Sequence, residues 1–251
     1  DLVVTNFGRN TKYHPKPGKP VMLFYGDIDD SGSNQIVEAE YEGETLYPVR
    51  GKSCSTAAMP TLAQKFSTYK GFAAASLQEI YTPEKLEEVQ RYSVSDLNTS
   101  VFWNDGKGNF TMEALPWAAQ VAPSFGVSIR DFNGDGLQDI VLAQNFFTPQ
   151  RETGRMAGGL SLLLMGKKTD GKISFDPVWP SVSGIAVSGD AKSLATPDLN
   201  GDGMPDLSFG INSSPMKGYL GQPASQNMFA LRLIGPKNNP EAIGARVTIN
   251  G

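Results

Sequence analysis

One nine-residue phrase is written twice in this chain, and it limits the possible fold more than any other feature. Asp131-Phe132-Asn133-Gly134-Asp135-Gly136-Leu137-Gln138-Asp139 runs straight into Ile140-Val141-Leu142-Ala143. Asp198-Leu199-Asn200-Gly201-Asp202-Gly203-Met204-Pro205-Asp206 runs into Leu207-Ser208-Phe209-Gly210. Both copies carry oxygen-bearing side chains at positions 1, 3, 5 and 9 and a glycine at position 6. Calcium is a hard cation that takes six to eight oxygens at about 2.3–2.6 Å, and alternate residues of a tight loop can supply them. The predicted ligands are therefore Asp131, Asn133, Asp135 and Asp139, and Asp198, Asn200, Asp202 and Asp206. Backbone carbonyls of Leu137 and Met204 would complete the two sets. Metal-free Asx turns are the plainer alternative, but three carboxylates so close together repel one another unless a cation lies between them.

A third copy is worn. Asp27-Ile28-Asp29-Asp30-Ser31-Gly32-Ser33-Asn34-Gln35, followed by Ile36-Val37, keeps positions 1, 3 and 6 but has Ser31 at 5 and Gln35 at 9. Asp27, Asp29, Ser31, Ser33 and Gln35 read either as a weak calcium set or as a turn that has lost its metal. An EF-hand would need a bidentate Glu at position 12 and a helix behind it. Position 12 is Leu142 or Phe209, and strand-like sequence follows. A dockerin also places a helix after its loop.

Loops of this form leading into a strand, with Gly-rich turns such as Asn104-Asp105-Gly106-Lys107-Gly108-Asn109-Phe110, resemble FG-GAP/VCBS-type propeller repeats. The tail from Leu231 to Val247, with Gly235, Glu241, Gly244 and Arg246, resembles the start of the ASPIC/UnbV domain that follows such repeats in the cartilage-acidic-protein-like family. The opening Asn6-Phe7-Gly8-Arg9-Asn10 and a helical insert resemble large bacterial members of that group. The resemblance implies an all-β fold of β-propeller blades, calcium in blade loops, and an exported protein that is extracellular, on the cell surface or periplasmic.

Residues 1–226 are expected to hold the blades, with a helical insert over about 59–92, and 227–251 to open a further β domain. Thr82-Pro83-Glu84 looks like a helix start, with Thr as N-cap and Pro at the first position. One blade is expected from Val21–Val49 completed by Ser100–Leu115, a second from Phe125–Phe175, and a third from Val187 toward Tyr219. Strands are also expected over Met228–Ile234 and Ile243–Ile249. About three blades cannot close a ring. The remaining blades would come from missing sequence or from another chain, since the chain opens mid-phrase at Asp1-Leu2-Val3-Val4.

Composition narrows the function. A net charge of -4 argues against a nucleic-acid partner, because a phosphate binder needs a basic face. No apolar run approaches the roughly 20 residues of a membrane span. The single cysteine, Cys54, excludes an internal disulfide framework, and a free thiol is the reading for it. His14, the only histidine, sits in a Pro/Lys-rich surface loop without metal-ligand neighbours. Glu38, Glu40, Glu42 and Glu44 alternate as a half-exposed strand face and its turn would. Trp103, Trp117 and Trp179 read as blade-core residues, with a sugar-stacking platform as the other use. The long loop Thr148–Gly159 is a candidate ligand rim. No catalytic constellation is visible. The expected function is a calcium-binding recognition or adhesion scaffold for a protein or glycan. Two alternatives are a structural subunit whose chains complete each other's propellers, and a polysaccharide-active enzyme using acids on the propeller face.

Overall fold

The computed structural model describes residues 1–222 and 231–248. In chain order the elements begin with β1 (Leu2–Val4), β2 (Val21–Gly26), β3 (Gln35–Glu42) and β4 (Thr45–Pro48). Five short helices follow: α1 (Lys52–Ala58), α2 (Thr61–Lys65), α3 (Tyr69–Ala74), α4 (Leu77–Tyr81) and α5 (Pro83–Glu88). Then come β5 (Gln90–Val94), β6 (Ser100–Asn104), β7 (Phe110–Ala114), β8 (Ser124–Arg130), β9 (Asp139–Gln144), β10 (Leu162–Thr169) and β11 (Lys172–Val178). The last elements are α6 (Pro180–Ser183), β12 (Asp190–Ala195), β13 (Leu207–Asn212) and β14 (Lys217–Tyr219). The strands form four antiparallel sheets, ordered β1-β6-β7, β8-β9-β10-β11, β12-β13-β14 and β4-β3-β2-β5.

Three of these sheets stack face to face, and β9 shows why. Its run Ile140-Val141-Leu142-Ala143 is apolar on both faces, as a strand buried on two sides must be. Ile140 and Leu142 enter one core with Val101, Leu115, Leu162 and Leu164. Val141 and Ala143 enter another with Val187, Ala191, Leu207 and Phe209. The β8–β11 sheet is thus the middle layer between the β1-β6-β7 and β12-β13-β14 sheets. Strands β8 and β12 run side by side. A Cβ on Gly126 would stand 2.8 Å from the Leu194 backbone nitrogen, so only glycine permits that approach. At the far edge Trp103 stacks on Phe175, with 6.2 Å between ring centroids. These three layers do not close a ring.

The fourth sheet departs from expectation. Val21–Pro48 is not completed by Ser100–Leu115. It pairs with β5, in the register Leu23↔Tyr92, while β6 and β7 pair with β1. Helices α1–α5 cover one face, and Phe24, Val37 and Ala39 pack with Met59, Phe72, Leu77 and Ile80 in a core of their own. The unit leaves and rejoins the stack through a neck. Gly8 N–H donates to Leu97 O at 2.7 Å, and Asn6 reaches Thr99 Oγ1 at 3.1 Å and Asp96 O at 3.2 Å. Gly8 has φ +76°, and a Cβ there would lie 2.5 Å from Gln120 O. The whole segment between β1 and β6 is therefore an insertion into one connection of a sheet, with helices from Lys52 to Glu88 rather than 59–92. Thr82 does precede α5, but at φ 60° its side chain makes no cap bond; the capping box is Ser76 with Glu79 on α4.

In the tail, residues 228–230 and 249 lie outside the described residues. The described stretch 231–248 contains turns and no strand. Asn239 N–H donates to Pro236 O at 2.8 Å and Ala242 N–H to Asn239 O at 3.0 Å. The described parts of the two expected strands, 231–234 and 243–248, are thus not strands, and Pro236 and Pro240 lie in the turn between them.

Candidate functional site

The repeated phrases form the same turn in the same place. Residues 131–139 join β8 to β9 and residues 198–206 join β12 to β13. In each, the backbone is left-handed at positions 4 and 6, at Gly134 and Gly136 (φ 75° and 86°) and at Gly201 and Gly203 (φ 78° and 83°). The first carboxylate gathers the amides that this curl turns inward. Asp131 accepts from Gly134 at 2.6 Å and Gly136 at 2.8 Å. Asp198 accepts from Gly201 at 2.7 Å and Gly203 at 2.9 Å. Positions 3 and 5 touch, with Asn133 Nδ2 donating to Asp135 Oδ2 at 2.9 Å and Asn200 Nδ2 to Asp202 Oδ2 at 2.8 Å. Asp135 and Asp202 also accept the amides of Leu137 and Met204, both at 2.8 Å.

Position 9 fastens the loop to its sheet. Asp139 and Asp206 are wholly buried. One oxygen of each accepts from position 2, from Phe132 N at 2.8 Å and Leu199 N at 2.6 Å. The other accepts from the third strand or just beyond it, from Gly166 N at 2.8 Å and Gly221 N at 2.7 Å. Glycine is required at both donors, because a Cβ would sit 2.4 Å from Gln138 O and 2.6 Å from Pro205 O. Burial raises the Asp139 carboxyl above its ordinary range, against the pull of the Gly166 and Phe132 amides, and the Asp135 and Asp131 charges add to the rise. Among the described residues no Lys or Arg pairs with any acid of either loop.

These donors fit a divalent cation in kind. A carboxylate offers about four lone-pair sites, and two amide bonds leave Asp139 and Asp206 with acceptor capacity to spare. The loops are not finished cages, however. Among the described residues no three acidic, histidine or cysteine side chains converge as a ready metal set.

Sequence reasoning missed Asp1. It opens Asp1-Leu2-Val3-Val4, which parallels Asp139-Ile140-Val141-Leu142 and Asp206-Leu207-Ser208-Phe209. Asp1 Oδ1 accepts from Asn104 N at 2.8 Å. The registers agree: Leu2↔Phe102, Ile140↔Leu164 and Leu207↔Tyr219 each place the donor two residues beyond the paired residue. Asp1 therefore stands where position 9 stands in the two loops, and β1 corresponds to β9 and β13. The tetrapeptide Asp-Leu/Ile-x-apolar was the signal.

Residues 91–142 match the FG-GAP-like repeat. That span runs from β5 through β9 and includes the first acidic loop. No curated protein matches the chain.

The worn loop has the same backbone but a different interior. It joins β2 to β3, is left-handed at Asp30 and Gly32 (φ 59° and 79°), and its Asp27 accepts from Ser31 and Gly32 at 2.9 and 2.8 Å. Gln35 Oε1 accepts from Ile28 N at 2.7 Å, as a position-9 carboxylate does. Its Nε2 turns inward and donates to Asp29 Oδ1 at 2.7 Å and Ser31 Oγ at 3.1 Å. Ser33, at position 7, makes only a 3.4 Å contact from its amide to Ser31 Oγ. Outside the loop, Lys85 of α5 pairs with Asp30 at 2.6 Å. With Ser31 at position 5 and the Gln35 amide group facing positions 3 and 5, this loop lacks the set of three interior carboxylates that the other two offer a cation.

The other marked residues sort as follows. Trp117 and Trp179 are each 63% exposed, against the blade-core reading; Trp117 opens a 3-10 turn and Trp179 caps α6. Trp103 donates Nε1–H to Glu113 of its own sheet at 2.9 Å, while its ring stacks on Phe175 of the next. Cys54 lies beside Glu152, and burial followed by that carboxylate pushes its thiol up, away from the thiolate. His14 is exposed and gives its backbone N–H to Glu40. Glu38 holds Tyr13 Oη and Arg50, both at 2.8 Å. The long loop does not stand free as a rim. Gln150 accepts from Arg50, and the Glu152 carbonyl from Lys12 Nζ at 3.2 Å, so it buttresses the inserted unit.

Proposed function

We propose that the chain is a calcium-braced array of propeller blades that presents a rigid surface for recognition outside the cell. The observation that carries the metal is the position-9 aspartate, which is buried and fixed by two amides in a loop with two further acids, none of them paired with a Lys or Arg among the described residues. An ionised carboxylate is costly in such a place unless a proton or a cation offsets it. Calcium would be held by Asp131, Asn133, Asp135 and Asp139, and by Asp198, Asn200, Asp202 and Asp206, with the carbonyls of Leu137 and Met204. It would neutralise the acids and tie the inner strand to its neighbour.

The FG-GAP-like match and the β-rich stack support a scaffold of extracellular, adhesion type whose ligand is a protein or glycan. Among the described residues no helix is long and apolar enough to cross a membrane. The likeness of residues 231–247 to an ASPIC/UnbV start belongs to the same reading. Titration calorimetry on chelator-treated protein tests it. We expect binding at both acidic loops, with one site lost in Asp135→Asn and the other in Asp202→Asn. Absence of any heat or uptake would remove the metal from the account.

A further inference from the structure

We propose that loop Asp27–Gln35 is closed by its own Gln35 carboxamide in place of a cation, so that the inserted unit keeps its shape when divalent metal is withdrawn. The inference rests on the calcium reading for the contrast it draws with the other two loops, but its own geometry is independent of it. All three loops share the curl, the position-1 carboxylate on inward amides, and a position-9 oxygen on the position-2 amide. They differ at the second atom of the position-9 head group. In the acidic loops that atom is an oxygen on the Gly166 or Gly221 amide. In the worn loop it is Nε2, a donor, facing the oxygens of Asp29 and Ser31.

The topology explains why Gln35 is free to turn inward. Strand β4 ends at Pro48 opposite Ala39, and the chain enters α1 at Lys52. No third strand therefore runs level with Gln35 to take its head group. Of its three carboxylates only Asp27 and Asp29 hold ligand positions, against three in each acidic loop, and the third, Asp30, is paired with the Lys85 ammonium at the rim. The loop is thus satisfied by groups of its own chain, as buried polar atoms require.

Hydrogen exchange with mass spectrometry, run in calcium and in EGTA, reads each loop separately. In the parental protein, exchange over 27–35 should be the same in both buffers. Gln35→Glu keeps the acceptor for Ile28 but replaces the donor with a charge beside Asp29. In EGTA we expect exchange over 27–35 to speed by about tenfold in that variant, and calcium to restore it. A parental loop that opens on chelation overturns the proposal, as does a Gln35→Glu loop indistinguishable from the parent in EGTA. If residues 131–139 and 198–206 ignore the chelator while 27–35 behaves as expected, the calcium reading fails and this inference stands.

Discussion

Gly166 and Gly221 show how finely the loop–sheet junction is set. Each gives its amide to a buried aspartate and leaves no room for a methyl group against the position-8 carbonyl. Gly166→Ala must push the loop away from β10, and overpacking of this kind costs about 1–3 kcal/mol. We expect a lower melting temperature for it, whereas Gly18→Ala, at a φ of +73° in open space, should show only backbone strain. Asp190 gives a pH test. Burial lifts its carboxyl, but bonds from Lys192, Asn212 and the Phe147 amide outweigh that and hold it below the ordinary value. A depressed folded pKa stabilises fully above the unfolded value, near 3.9, and that stability is lost as pH falls through the folded one. Acid melts of Asp190→Asn should therefore lose less stability below about pH 4 than the parent. Lys192 sits 2.6 Å from Asp190 and 3.6 Å above the Phe125 ring. Lys192→Met strands a buried carboxylate and should cost about 2–3 kcal/mol at neutral pH, below the fully buried case because the lysine is part exposed.

Among the elements, the acidic turns and the strands after them were legible because their chemistry is local and repeated. The insertion was not. Its strands β2–β4 read as blade strands, and β5 was absorbed into a helical stretch because Lys85-Leu86-Glu87-Glu88 favours helix up to its edge. What separates them is long-range: the β2–β5 register and the neck at Gly8 and Leu97 join residues far apart in sequence. Asp1 was passed over because a single aspartate before an apolar triplet is a weak signal. Trp117 and Trp179 were misjudged because aromatic residues default to cores in the absence of a packing partner to test. A polypeptide of residues 9–96 contains the complete insert core. It should fold alone, with helical circular dichroism and a cooperative melt; a spectrum without structure would show that the stack is needed to hold it.

For the whole molecule, three stacked sheets share two cores through β9, and the acidic turns close the connection from inner to second strand in two of them. The buried-carboxylate staple is common to Asp139 and Asp206, and Asp1, at the same register but exposed, makes only the bond to the third strand. Metal bound only by the folded form adds about 2.7 kcal/mol per site at a hundred times the dissociation constant. Thermal denaturation of the intact chain in calcium and in EGTA measures that linkage directly. We expect a melting temperature higher in calcium by about 10 °C or more for two sites, at about 2–4 °C per kcal/mol for a chain of this size. Superimposable melts in the two buffers would contradict it.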